Sequence, residues 1–142
     1  MSNIAINIDF DGTVVTHDFP RVGKDIGSQK VLKKLVEKGH QLILFTMRDD
    51  TPDIMDEYYQ ITPGNRYLTD AINWFKDNNI PLYGIQSNPT QLQWTTSPKS
   101  YAELLIDDTA LGCPLKLDLS ISNRPFVDWI EVEKLLIKQN IL

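Results

Sequence analysis

Cysteine is almost missing from this chain of 142 residues. Cys113 stands alone, so no internal disulfide and no cysteine-based zinc cluster is available. Histidine is nearly as scarce. His17 and His40 lie far apart and lack the spacing of a metal-binding pair, so both read as surface or packing residues. Basic charge is also in short supply: 14 Lys and Arg face 19 Asp and Glu, for a net charge of −5. With no basic run to compensate, that balance argues against a nucleic-acid surface or an anionic membrane as partner. It does not argue against a small phosphorylated substrate, whose charge a metal can meet locally. Long apolar runs are missing too. Nothing approaches the ~20 residues of a membrane-spanning helix, and the amino end lacks a basic flank and an apolar signal region. The expected setting is cytoplasmic. Repeats and low-complexity segments are absent. What remains is ordinary for a globular domain: 42% apolar and 23% charged residues, enough to bury a core in a single domain spanning 1–142.

The chain is organised around Ile4–Thr13, Ile-Ala-Ile-Asn-Ile-Asp-Phe-Asp-Gly-Thr. Ile4, Ile6 and Ile8 are β-branched and read as a buried strand. Asp9 and Asp11 then fall at its carboxyl end, the edge of an open α/β sheet where ligands bind. The Asp9 side chain and the Asp11 backbone carbonyl are within reach of one hard cation, with the Asp11 side chain turned toward a substrate. Mg²⁺ suits such a site because it takes oxygen ligands from one or two carboxylates, water and phosphate. Gly12 permits a tight turn, and the Thr13 hydroxyl can tie the loop back.

Further along, 14–27 reads as a polar loop. Ser28 reads as an N-cap, followed by a helical stripe of Val31, Leu32, Leu35 and Val36 that Gly39 ends. Gln41–Phe45 is a second strand closing on Thr46, and strand–helix–strand at this spacing is a right-handed βαβ unit. Thr46 therefore arrives at the same edge as Asp9. Residues 47–64 are irregular, a length of loop that is often functional, with a helical turn expected around Ile54–Tyr59. Leu68, Ala71, Ile72 and Phe75, with Trp74 beside them, form the next helix. Pro81–Gln86 reads as a third strand, and 87–98 as a polar loop in which Gln91, Gln93 and Trp94 are packing residues. Leu104–Ile106 is a fourth strand ending in Asp107 and Asp108. Leu115–Ile121 suggests a short fifth strand at the sheet edge, and Val127–Gln139 a closing helix with Val127, Ile130, Leu135 and Leu136 facing in. The fold expected is α/β: one Rossmann-like three-layer domain with a mainly parallel sheet flanked by helices.

Each strand-end residue is a weak signal alone. Together and in this order, over about residues 4–110, they resemble the haloacid dehalogenase-like superfamily, mostly Mg²⁺-dependent phosphatases. Asp9-Phe-Asp11-Gly-Thr13 resembles its first motif, Leu42-Ile-Leu-Phe-Thr46 the second, Lys99 the basic third, and Leu105-Ile106-Asp107-Asp108 the acidic fourth. The resemblance implies that Asp9 attacks phosphorus and forms an aspartyl-phosphate. It implies that Asp11 protonates the leaving oxygen and then takes a proton from the hydrolytic water. Mg²⁺ would be held by Asp9, by Asp11 through its carbonyl, and by Asp108, with Asp107 behind it or bound through water. Thr46 and Lys99 would hold the phosphoryl oxygens, and Lys99 would also keep Asp9 ionised.

Relatives often insert a cap domain after the first or second motif. Here 37 positions separate Asp9 from Thr46 and 53 separate Thr46 from Lys99, and ordinary elements fill both gaps. The expectation is a capless member with an open site. Arg48 is a candidate for binding a second anionic group of the substrate, and Thr13 a candidate substrate contact. The expected partner is a phosphorylated substrate, a small molecule in preference to a macromolecule, and an open site is compatible with a homodimer that shields it. Three rival readings remain: another phosphoryl-transfer chemistry such as a phosphomutase, against which the short gaps count because such relatives generally carry a cap; a receiver-like phospho-acceptor that does not turn over; and a dead binding module.

Overall fold

The computed structural model describes residues 2–50 and 55–142. Its centre is a four-stranded parallel sheet. The strands are β1 (Ala5–Ile8), β2 (Gln41–Leu44), β3 (Gly84–Ile85) and β4 (Leu104–Ile106), in the spatial order β3-β2-β1-β4. Three helices accompany it: α1 (Ser28–Glu37), α2 (Tyr67–Asp77) and α3 (Trp129–Lys138). The architecture is the expected single Rossmann-like α/β domain. Among the described residues no second folded unit stands between Gly12 and Thr46 or between Met47 and Lys99.

Strand order fixes the layers. The crossovers β1–α1–β2 and β2–α2–β3 step in one direction, so right-handed connections put α1 and α2 on the same face. Ile6, Ile8 and Ile106 bury there against Val31, Leu32, Leu35, Ala71, Trp74 and Phe75. α3 packs beside α1. The return from β3 to β4 crosses the other face with a loop and one 3-10 turn (Gln91–Gln93) in place of a helix. That loop is nonetheless anchored. The buried Gln91 amide accepts from the N–H groups of Asn88 and Tyr101 and donates to the carbonyls of Ser97 and Lys99. The packing role expected of Gln91 holds. Trp94 is 62% exposed, edge-on to Tyr101, and does not fill the loop.

Several local expectations change. Ser28 starts α1 but does not cap it: its hydroxyl donates to the Val14 carbonyl, and Gly27 takes the cap position in the left-handed region, φ 87°. The turn at 55–61 is closed by reciprocal Asp56–Ile61 backbone hydrogen bonds and is not helical; Ile54 lies outside the described residues. Residues 115–116 do not extend the main sheet, whose edge strand is β4. They form β5 (Leu115–Lys116), antiparallel to β6 (Phe126–Val127). Because Val127 is consumed by β6, α3 starts at Trp129, capped by the Asp128 carboxylate on the Glu131 N–H. The inward stripe is then Trp129, Val132 and Leu136. Ile130 and Leu135 face outward.

No described helix is long and apolar enough to cross a membrane. His40 does the packing work expected of it: its ring links the Ile4 N–H to the Ile141 carbonyl and ties the first strand to the chain's last residues.

Candidate active site

The strands reach the site through continued ladder bonds. The Asp9 N–H donates to the Ile106 carbonyl and the Phe45 N–H to the Ile8 carbonyl. β1, β2 and β4 therefore deliver Asp9, Thr46 and the Asp107–Asp108 pair to one edge. Beyond Asp9 the chain turns tightly. The Phe10 carbonyl accepts from the N–H groups of Thr13, Val14 and Val15, and Gly12 adopts φ 82°, where a side chain would be strained. A Cβ at Gly12 would also sit 2.0 Å from His17 Nε2, so this glycine leaves room for the imidazole.

The carboxylates of Asp9, Asp107 and Asp108 each place an oxygen within 4.8 Å of the others. Thr13 joins two of them: its hydroxyl donates to Asp9 Oδ2 at 2.6 Å and accepts from the Asp108 N–H at 2.9 Å. Thr13 is fully buried, which overturns the expectation that it meets the substrate; it orients the carboxylates from below. His17 Nε2 lies 2.8 Å from Asp108 Oδ2. Read as a surface or packing residue from sequence, His17 is part of the site, brought in by the excursion 14–27, which Thr16 and Lys24 clasp together. Asp107 Oδ1 closes a local turn by accepting from the Thr109 N–H and hydroxyl.

Electrostatics follow from this crowding. Burial raises the Asp9 pKa, the Thr13 hydrogen bond offsets part of the rise, and the neighbouring Asp107 and Asp108 charges add to it; the value reaches about 8. For Asp108 burial acts in the same upward direction, but the His17 hydrogen bond and then that of Asp9 outweigh it, and its pKa falls below the usual carboxylate value. Among the described residues no lysine or arginine pairs with Asp9 or Asp107. Three converging carboxylates, one held back from ionising and one paired with His17, are a donor set that fits a hard divalent cation such as Mg²⁺.

Thr46 is held by Gln86 at the end of β3. The Gln86 amide accepts from the Thr46 N–H and donates to the carbonyls of Thr46 and Arg48. To do so Gln86 takes a left-handed backbone, φ 64°, rare for a residue with a side chain. Nothing in the sequence marks it.

Two expectations are corrected here. Arg48 is not a loop arginine open to a substrate anion. It is 2% exposed, with Nε and Nη2 each 2.8 Å from an oxygen of Asp11. Lys99 does not touch the carboxylates: it is exposed among Trp94, Ser97, Ser100 and Tyr101. Its neighbour Ser100 exchanges two hydrogen bonds with Asn7. Asn7 shares a face of β1 with Asp9, about 7 Å along the strand, so the segment carrying Lys99 is tied to β1 before the carboxylates.

No protein-family model matches this chain, and no curated protein matches it. Among solved structures it is similar to a conserved protein coded by a locus of Bacteroides thetaiotaomicron, with 28% sequence identity and a TM-score of 0.69, over 98% of this chain and 93% of that one.

Proposed function

We propose that this chain is a Mg²⁺-dependent phosphomonoester hydrolase, a capless phosphatase of the haloacid dehalogenase-like type, working through an aspartyl-phosphate on Asp9. One observation carries the reading: Asp9 lies at the carboxyl end of a central parallel strand, within 4.8 Å of Asp107 and Asp108, and among the described residues no lysine or arginine pairs with Asp9 or Asp107. A chain gains nothing in stability from burying such a cluster. It makes sense where a cation and an anionic phosphate meet.

Mg²⁺ would be held by Asp9, by Asp108 or Asp107, and by the Asp11 carbonyl; when bound it offsets the repulsion between the nucleophile and phosphate. The chain's own residues do the rest. Asp9, oriented by Thr13, forms the bond to phosphorus as the leaving oxygen departs, and water then cleaves the acyl phosphate to restore the carboxylate. Asp11 moves the protons of the two steps. Thr46, fixed by Gln86, offers its hydroxyl to a phosphoryl oxygen. Lys99, exposed and away from the carboxylates, would have to move to reach the same oxygens. The position of Lys99 away from the carboxylates favours a second reading as a phospho-acceptor that does not turn over. The open site suits a small cytoplasmic phosphate ester, and a second copy of the chain could shield it.

The test is phosphate release from 4-nitrophenyl phosphate. The expected result is turnover with Mg²⁺, none with chelator, and none in Asp9→Asn. Asp9→Asn turning over at the wild-type rate contradicts the reading.

A further inference from the structure

We propose that Arg48 is the positioning residue of Asp11 and takes no part in binding the substrate. The inference rests on the phosphatase reading above and concerns how the Asp11 side chain is held for proton transfer.

The guanidinium has five N–H donors, and all five are used inside the chain. Nε donates to Asp11 Oδ2 and one Nη2 hydrogen to Asp11 Oδ1, both at 2.8 Å. The other Nη2 hydrogen reaches the Arg21 carbonyl at 2.7 Å. Nη1 donates to the carbonyls of Tyr67 at 3.1 Å and Pro20 at 3.5 Å. The rings of Phe10 and Phe19 stack over the same guanidinium, each 5.1 Å from its central carbon. No donor is left for a phosphate or a second anionic group, and a side chain this buried cannot turn outward without breaking every one of these contacts.

What Arg48 touches explains what it does. Asp11 sits on the turn out of β1, two residues past Asp9, and its side chain keeps some exposure. The carbonyls that hold the guanidinium come from the excursion after the turn (Pro20, Arg21) and from the start of α2 (Tyr67). Its own backbone is tied to Gln86 and Thr46. The two-pronged contact thus references the Asp11 carboxylate to four segments at once, including the one that places Thr46. A bidentate arginine–carboxylate pair fixes both distance and plane, which the point charge of lysine does not.

The experiment is a kinetic double-mutant cycle on the full chain with 4-nitrophenyl phosphate and Mg²⁺. It compares wild type, Arg48→Lys, Arg48→Met, Asp11→Asn and the paired variants, each assayed below its own unfolding transition. Arg48→Lys keeps the charge and guards against a methionine variant that does not fold. The expected result is a fall in kcat on the order of tenfold or more in Arg48→Lys, KM within about threefold of wild type, and no further loss when Arg48→Lys is added to Asp11→Asn. A tenfold rise in KM with kcat retained would make Arg48 a substrate ligand and overturn the proposal. So would losses that multiply in the pair, which would mean that Arg48 acts independently of Asp11. Absence of turnover in the wild type would instead remove the phosphatase reading, and this proposal with it.

Discussion

Thr13 Oγ1 lies 2.6 Å from Asp9 Oδ2, and the same oxygen accepts the Asp108 backbone N–H at 2.9 Å. One buried hydroxyl therefore joins the ends of β1 and β4. Thr13→Val preserves the shape of the side chain and removes that link. It leaves a half-buried N–H without its partner, at a cost of about 1 kcal/mol. It also removes the one interaction that pulls the Asp9 pKa down. Thermal unfolding should shift downward, and Mg²⁺ affinity, read by calorimetry, should fall by roughly 10–100-fold, as for other partners that orient metal ligands.

The raised pKa of Asp9 makes the metal-free protein sensitive to pH in a defined sense. The folded chain holds the Asp9 proton up to about pH 8, whereas the unfolded chain releases it near 3.8. Between those values the folded state binds more protons, so stability is full below the lower value and is lost as pH rises through the upper one. The loss is on the order of a few kcal/mol. Asp108, lowered, acts in the opposite sense and only below the ordinary carboxylate range. In chelator, melting temperature should fall from pH 5 to pH 8 in the wild type and stay flatter in Asp9→Asn. Mg²⁺ should restore the wild type at pH 8 and release protons as it binds.

The carboxyl-terminal third supports the site from behind. The Val127 N–H donates to the Gly12 carbonyl, and Trp129 Nε1 to the Thr13 carbonyl at 2.7 Å. Trp129→Phe keeps a ring in the core and deletes that donor. The expected outcome is a loss of about 1–2 kcal/mol in urea unfolding together with a fall in kcat, because the turn carrying Asp9 and Asp11 loses its buttress. An unchanged kcat would show that the turn is held by its own hydrogen bonds.

Gln86→Glu tests the hold on Thr46. A carboxylate can still accept from the Thr46 N–H but cannot donate to the carbonyls of Thr46 and Arg48. Turnover should drop on the order of 10²-fold, the cost of an ångström-scale misplacement, with the fold retained by circular dichroism.

Periodicity carried the fold as far as periodicity reaches. The β-branched run of β1 and the stripes of α1 and α2 were legible because each buries one face against the same core. The α3 stripe was misread because nothing in the sequence announces that Val127 belongs to a hairpin, and moving the helix start shifts which positions face in. The acidic strand ends were legible because strand direction alone brings Asp9, Asp107 and Asp108 together. Arg48 was not, because its partner is 37 positions away and its burial depends on Phe10, Phe19 and three carbonyls. His17 reaches Asp108 only because the excursion 14–27 folds back over Gly12, a path that spacing does not encode.

The measurement that bears most directly on the central claim is rapid acid quench of the wild type turning over 4-nitrophenyl phosphate with Mg²⁺, followed by mass spectrometry to locate any phosphoryl group. The account predicts a phosphoryl on Asp9 that decays to free phosphate at the rate of turnover. Phosphate released with Asp9 never modified, or a phosphoryl on Asp9 that stays there, would contradict it.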